Sequence, residues 1–378
     1  MKKKVLIVTL NDYVIYQPTI LSLYDFLSPD FDVTIISFQP KFATKQKDTT
    51  RNIVYLKTGL RGLFFQRFDF LFSYFAKFRK LFSKDYVYYH QYYHHYLPSV
   101  LKGELKRQKG KNDIIIAVDF PALYEAQKIF GAVHFLSLEI DNNTSRYYKL
   151  VDPAKVKSVA VQSKERYNYL FPGQQLKTFI IPNSPIYIPV DRTKNERKDF
   201  IWAGAIDRRL AVMECIAFFD RYPQYKLIMK GGGDEKTQRL INEKYGELLT
   251  AGRIVIDRKY LAQESFIDFL ATFRIGFCFY AWDLIAASFN YQSAPSGKLL
   301  MYMAAGTPVI ACDIPGFQFI KESGAGVLVK DYEPETILNA IQTIEANYQQ
   351  YSDACLRIAG ELSFDKNVAP YIEFLKQQ

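Results

Sequence analysis

The chain has 378 residues, a length that favours two domains, each with its own core. Its four cysteines form no CxxC pair, and the apolar run after Met1 is too short for a signal sequence or a membrane span, so we expect a cytoplasmic protein with reduced thiols. The formal net charge is +10. Most of that charge lies in one segment, which disfavours a generally basic nucleic-acid-binding protein.

Short apolar runs alternate with longer helical patterns along the first half of the chain, which predicts βαβ units and a parallel sheet. The predicted strands are 5–9, 33–37, 114–118, 134–138, 158–162 and 178–181. Between 186 and 199 the composition becomes rich in Pro, Lys, Arg, Asp and Asn, and no periodicity persists. We therefore place an interdomain linker there.

A basic aromatic segment, residues 60–111, interrupts the first series of strands. Between Lys57 and Lys111 there are 12 basic and three acidic residues, and phenylalanine and tyrosine are frequent. The polar positions from Gly62 to Lys84 recur at helical spacing. Two interpretations are open: a surface for the anionic inner face of a membrane, or a helical insertion at about 60–110 that packs on the first domain's sheet. Nucleic-acid binding is disfavoured because no other basic groove is evident.

A second series of strands follows the linker. The predicted strands are 200–203, 226–229, 254–257, 275–279, 307–311 and 326–329. The fold class is therefore α/β, with two Rossmann-like domains, 1–185 and 198–362, and a central cleft between them. An amphipathic helix within 363–378 is expected to pack back on the first domain.

An anion-binding pattern lies at Ser296-Gly297-Lys298. Pro295 suits a helix start, the backbone amides of Ser296 and Gly297 lie in its first turn, and Lys298 adds a cation. This pattern predicts a diphosphate site. It is not a P-loop, because Gln292 occupies the position of the first glycine and Leu299 that of the magnesium-binding Ser or Thr.

These segments resemble the glycosyltransferases of the GT-B fold, in particular the GT4-like group. The resemblance rests on motifs in order along the chain: VQSK at 161–164, IPNS at 181–184, FIWAGAI at 200–206, LIMKGGGD at 227–234, IVIDRKYL at 254–261 and MAAGTPVI at 303–310. It implies transfer of a sugar from a nucleotide-diphosphate sugar of UDP or GDP type to an acceptor hydroxyl, with no further cofactor, no metal ion and retention of anomeric configuration.

The resemblance also implies which residues bind the donor. These are Gly204, Arg208, Arg209, Lys230, Gly231, Tyr260, Ser296, Gly297 and Lys298. One departure concerns two glutamates that are common in the family, whose positions hold Ser293 and Met301 here. Neither can accept hydrogen bonds as a carboxylate does. A degenerate, non-catalytic scaffold is therefore the alternative function.

On the acceptor side, Asp119 and Glu139 each follow a predicted strand and are the candidate catalytic carboxylates. His90 and His94 have metal-ligand spacing, but no third ligand is evident and a tyrosine-rich helical face is favoured. If the basic aromatic segment contacts a membrane, we expect a peripheral enzyme on its inner face. Its acceptor would then be a lipid-linked glycan precursor of a bacterial surface polymer.

Overall fold

The computed structural model describes residues 1–12, 14–39, 47–65, 67–68, 71, 92–140, 147–189, 197–259, 261–293 and 296–378. Contacts divide the chain into two compact units. The N-terminal unit comprises Met1–Ile181 and Val368–Gln378, and the C-terminal unit comprises Pro182–Asn367. The last helix therefore crosses the division, and most of it belongs to the N-terminal unit.

The N-terminal unit contains a parallel sheet of seven strands in the order β3-β2-β1-β4-β5-β6-β7. Its central strand β4 is apolar and buried throughout, and β1 is so after Lys4, as expected for a parallel sheet covered on both faces. The strands are β1 Lys4–Val8, β2 Asp32–Phe38, β3 Ile53–Leu56, β4 Ile114–Val118, β5 Val133–Ser137, β6 Val156–Val161 and β7 Thr178–Ile180.

The C-terminal unit contains a second parallel sheet, of six strands, in the order β10-β9-β8-β11-β12-β13. The reversal of direction beside β8 creates a switch point, where doubly wound sheets place their ligands. The strands are β8 Phe200–Ala203, β9 Leu227–Lys230, β10 Ile254–Asp257, β11 Ile275–Cys278, β12 Val309–Cys312 and β13 Gly326–Val329.

Helices separate the strands in both units, so each unit is built from βαβ crossovers. Those of the N-terminal unit are α1 Pro18–Leu27, α2 Leu97–Gln108, α3 Asp119–Phe130 and α4 Lys164–Leu170. Those that follow are α5 Val212–Arg221, α6 Glu235–Thr250, α7 Gln263–Leu270, α8 Trp282–Ala287, α9 Phe289–Ser293, α10 Gly297–Ala304, α11 Gln318–Ser323, α12 Pro334–Ala346, α13 Tyr348–Leu362 and α14 Phe364–Lys376.

The α/β fold class predicted from the sequence is confirmed, and each predicted strand is present with bounds shifted by at most two residues. The prediction omitted β3, a strand of four residues at the edge of the sheet, three of them only partly buried. Its sequence, Ile-Val-Tyr-Leu, is a four-residue apolar run that the prediction did not select.

The basic aromatic segment is described only in part. Residues 59–65 are helical, whereas most of the helix predicted over 62–84, His90 and the side chain of His94 lie outside the described residues. Within the described residues, Leu60, Leu63, Phe64 and Leu71 are exposed. No helix in the described part of the chain is both long and apolar enough to cross a bilayer.

Candidate functional site

Two glycine turns lie in close contact at the carboxyl edge of the C-terminal sheet, the edge at which its parallel strands end. Gly204 follows β8 with φ 106°, and Gly231 follows β9. A Cβ atom on Gly231 would lie 2.0 Å from the carbonyl oxygen of Gly204. Only glycine permits this approach, which leaves backbone close to any ligand that binds over the turns.

The ammonium of Lys298 lies beneath the first of these turns. A Cβ atom on Gly204 would lie 3.8 Å from Lys298 Cδ, and Lys298 Nζ lies 4.4 Å from the centroid of the Trp202 ring. Nζ is buried and has no hydrogen-bond partner among the described residues. The aromatic face stabilises the cation in part. A buried ammonium without hydrogen bonds is costly, so the site favours an anionic ligand.

Helix α10 carries Lys298 and is fixed to the sheet by Tyr302. The Tyr302 hydroxyl accepts a hydrogen bond of 2.6 Å from the amide of Ala203, the last residue of β8. The Tyr302 ring lies against Gly276 of β11, where a Cβ atom would be 2.8 Å from the ring. The start of α10 is thereby held below the carboxyl edge, and Gly297 there lies next to Asn183.

The two candidate arginines have different surroundings. The Arg209 guanidinium donates from Nε and Nη2 to the Asp207 carboxylate, at 2.6 Å from Nη2, and this partner lowers the pKa of Asp207. Arg208 is exposed, and its guanidinium has no partner among the described residues. Arg208 is therefore the arginine available to a phosphate.

Lys230 is buried at the end of β9 and is already paired. Its Nζ donates to Asp257 Oδ2 at 2.6 Å, and this hydrogen bond lowers the pKa of Asp257. The pair joins the carboxyl ends of β9 and β10, so Lys230 braces the glycine turn that follows it. Tyr260, another predicted donor residue, lies outside the described residues.

The two positions at which the family commonly has glutamate are occupied by groups with local roles. The Ser293 hydroxyl is buried and donates to the carbonyl of Phe289, 2.7 Å away. Met301 packs against the apolar core beneath α10. Neither side chain has an acceptor aimed at a ligand in this arrangement.

In the N-terminal unit, Asp119 and Glu139 lie at the carboxyl ends of neighbouring strands, β4 and β5. Asp119 has a φ of 61°, which is uncommon for a residue other than glycine. Its Oδ1 accepts from the amides of Leu138 and Glu139, at 2.7 and 3.0 Å. Burial raises the pKa of Asp119 to about 7, and the negative charge of Glu139 adds to this, whereas the amide hydrogen bonds and Arg166 oppose it.

Two further polar residues join this edge, and the sequence analysis missed both roles. Arg166 and Gln162 are buried, and each donates to the carbonyl of Leu138, at 3.0 and 3.3 Å. Gln162 belongs to the VQSK motif, so the sequence analysis had identified this segment but not the role of Gln162 in it. Arg166 follows it in α4 and resembles an ordinary surface arginine of a short helix, because nothing local in the sequence predicts its burial.

A metal site has no support in the geometry of the described residues. No group of three or more His, Cys, Asp or Glu side chains in that part of the chain is arranged to hold an ion. The four cysteines are all buried, and none forms a disulfide. Burial raises the pKa of Cys278, and the nearby positive charge of Lys298 opposes the change.

Solved structures share this architecture over the full length of the chain. The sucrose-phosphate synthase of Thermosynechococcus elongatus matches with 16% identity and a TM-score of 0.65, covering 100% of this chain and 99% of that one. An E. coli structure described as trehalose-6-phosphate bound with UDP-2-fluoro glucose matches with 12% identity, a TM-score of 0.66 and coverage of 100% and 99%. The α,α-trehalose-phosphate synthase (UDP-forming) of Burkholderia xenovorans, in complex with glucose-6-phosphate, matches with 9% identity and a TM-score of 0.68, covering 99% of this chain and 100% of that one.

These likenesses define the class of the protein, which has the GT-B fold of glycosyltransferases. Residues 205–347 match the model of the family described as glycosyl transferases group 1. The chain therefore has the GT-B fold and resembles that family over residues 205–347, so the resemblance inferred from its motifs is confirmed. The search among curated proteins gave no match.

Proposed function

We propose that the protein transfers a sugar from a nucleotide-diphosphate sugar to an acceptor hydroxyl. The observation that carries the proposal is the buried ammonium of Lys298. It lies at the start of α10, within the segment that matches the group 1 family, and has no hydrogen-bond partner among the described residues. A diphosphate at the carboxyl edge would supply the missing acceptors.

Positive charge and glycine turns together suit the leaving group of such a reaction. As the bond from the sugar to the diphosphate breaks, negative charge grows on the phosphate oxygens, and fixed cations and amides stabilise it. Lys298, the exposed Arg208 and the backbone around Ser296 and Gly297 would supply these interactions. Gly204 and Gly231 leave room for the donor to approach the backbone. Lys230 would act indirectly, by bracing its turn against Asp257.

We further propose that the donor is a UDP sugar, with a GDP sugar as the second candidate. One similar structure is bound with UDP-2-fluoro glucose and another is of a UDP-forming synthase, which supports the first choice. Asp119 and Glu139 are the candidate contacts to the acceptor, since both lie at the carboxyl edge of the N-terminal sheet. Retention of configuration and metal-independent transfer follow from the resemblance to GT4 enzymes. Product anomer analysis by NMR and assays with chelator test them.

The acceptor class is a finer proposal, based on the basic aromatic segment. The exposed Leu60, Leu63 and Phe64 lie in a stretch with 12 basic and three acidic residues between Lys57 and Lys111. Apolar and basic groups together suit an anionic membrane surface and hence a lipid-linked acceptor in surface polysaccharide assembly. Co-sedimentation with vesicles containing anionic lipid should exceed that with neutral vesicles and should fall when Leu60, Leu63 and Phe64 are changed to Ser.

One observation favours a second candidate function, a non-catalytic scaffold. Ser293 and Met301 hold the positions of two glutamates common in the family, and in the structure one bonds to its own helix and the other packs in the core. A scaffold would keep the fold and lose donor turnover. Donor binding and turnover, measured separately, distinguish the two functions.

The decisive experiment is the thermal stability of the purified protein with UDP, GDP, ADP, TDP and CMP, each free and linked to a sugar. A ligand at 100 times its dissociation constant stabilises the folded state by about 2.7 kcal/mol, which a melting curve resolves. Lys298→Ala should abolish the shift. Lys244→Ala is the matched control, because the Lys244 ammonium also lies over a ring, that of Tyr245 at 5.1 Å, but on exposed α6. No shift with any nucleotide would contradict the proposal.

A further inference from the structure

Side chains from three separate elements converge on two successive residues at the carboxyl edge of the N-terminal sheet. These residues are Leu138 and Glu139, directly after β5. Asp119 follows β4 and accepts from the backbone N–H groups of both residues, while Gln162 and Arg166 follow β6 and donate to the Leu138 carbonyl. Because β4, β5 and β6 are neighbours in the sheet, the contacts span three strand ends.

Arg166 is the least expected member of this group. It is fully buried, and its two terminal nitrogens have separate partners: Nη1 donates to Gln162 Oε1 at 2.9 Å and Nη2 to the Leu138 carbonyl at 3.0 Å. A planar guanidinium can span two such acceptors, whereas a lysine ammonium is a single point. Burial lowers the pKa of Arg166, and the charges of Glu139 and Asp119 oppose this change. The two carboxylates therefore favour the charged form of this buried guanidinium.

We propose that Arg166 is a positioning residue of the acceptor site, which acts through the Leu138 peptide to hold Asp119 and Glu139 in place at the strand ends. The inference rests on the proposed glycosyl transfer for its kinetic meaning. Its structural content, the coupling of Arg166 to the two carboxylates, is independent of the reaction. Asp119 Oδ1 is occupied by the two amides, so Oδ2 is the oxygen left to accept from an acceptor hydroxyl.

The charges around Asp119 give this arrangement a distinctive signature. Glu139, after β5, raises the pKa of Asp119, and Arg166, in α4, lowers it. Loss of Glu139 should therefore move the titration of Asp119 to lower pH, and loss of Arg166 should move it to higher pH. Arg166→Lys keeps the charge, so a shift to higher pH in that variant reports weakened amide hydrogen bonds to Asp119 and not the loss of a cation.

The test measures the Asp119 titration by carbon-13 NMR of the labelled carboxyl group, assigned with Asp119→Asn. It compares the wild type with Glu139→Gln, Arg166→Gln and Arg166→Lys. The wild-type carboxyl should titrate near pH 7, as its raised pKa implies. Glu165→Gln is the matched control, because Glu165 is an exposed acid next to Arg166 in the same helix. It should leave the titration unchanged.

Kinetics of the same variants give the second readout. Arg166→Lys keeps the charge but loses the two-acceptor geometry, so the acceptor KM should rise about tenfold with little change in kcat. Below the Asp119 pKa the acceptor KM of the wild type should rise as well, because a protonated carboxyl accepts a weaker hydrogen bond.

The outcomes separate the inference from the proposed function. Opposite shifts in Glu139→Gln and Arg166→Gln support the inference even if the wild type has no transferase activity, in which case the proposed function alone fails. Shifts of the same sign, or none, overturn the inference even in an active enzyme. If Arg166→Gln does not fold, the other two variants test the inference. An unshifted Asp119 titration in Glu139→Gln, together with a wild-type acceptor KM in Arg166→Lys, would reject the inference.

Discussion

The two sheets of this protein share an architecture but carry opposite charges where their strands end. At the carboxyl edge of the N-terminal sheet, Asp119 and Glu139 present carboxylates, with the cation Arg166 buried behind them. At that of the C-terminal sheet, Arg208 and Lys298 supply cations beside glycine turns. Parallel sheets place ligands at this edge in both cases. The comparison teaches that the two edges differ in the side chains that follow the strands and not in the fold.

The largest expected effect tests the glycine turns of the C-terminal unit. Gly231→Ala places a Cβ atom 2.0 Å from the carbonyl oxygen of Gly204, so the turn must shift. Crowding and backbone strain together should destabilise the unit by about 4 kcal/mol, as measured by urea unfolding. Gly232→Ala is the matched control, because its Cβ would meet no atom within 4 Å. Equal stability of the two variants would refute the close approach.

A smaller expected effect is a loss of stability of the N-terminal unit at low pH. All four histidines of the sequence lie in that unit. His134 is buried, and its Nδ1 lies 2.8 Å from Ser158 Oγ. Burial, with a contribution from the charge of Lys157, lowers the pKa of His134 from 6.5 to about 4.

His134 is therefore protonated near pH 6.5 in the unfolded chain, but only near pH 4 in the folded unit. Stability from this residue is full above pH 6.5 and is lost as pH falls, by about 2 kcal/mol at pH 5. The raised pKa of Asp119 changes stability in the opposite direction over this range, so the loss is measured by the difference between the wild type and His134→Gln in urea unfolding at pH 7.5 and 5. His134→Gln should remove that part of the pH dependence. His95→Gln, at an exposed position, should preserve it, and a profile unchanged by His134→Gln would count against the assignment.

The smallest effect separates two adjacent arginines of the C-terminal unit. Arg208→Ala removes an exposed guanidinium without a partner among the described residues, so the donor KM should rise about tenfold. Arg209→Ala removes a group already bonded to Asp207, and the donor KM should change less than about twofold. A larger rise in donor KM for Arg209→Ala than for Arg208→Ala would contradict this prediction and would mean that Arg209 leaves Asp207 to bind the donor.

Much of this arrangement could be predicted from the sequence because its signals are local. Buried parallel strands such as Ile114–Val118 are continuous apolar runs, and glycine turns follow them at recognisable places. The edge strand Ile53–Leu56 was missed, although its four residues are also a short apolar run. The motif at Ser296–Lys298 identified a helix start, and the helix begins at Gly297.

The sequence by itself determined the fold class, the succession of strands along the chain and the residues that follow them, since each depends on short apolar runs and turn residues. Only the tertiary structure decided what those residues contact. It paired Lys230 with Asp257 and Arg209 with Asp207, enclosed Lys298 against Trp202, and buried Arg166 beneath Leu138. The physical reason is that hydrogen-bond partners and burial arise from elements distant in the chain, and no local pattern specifies them.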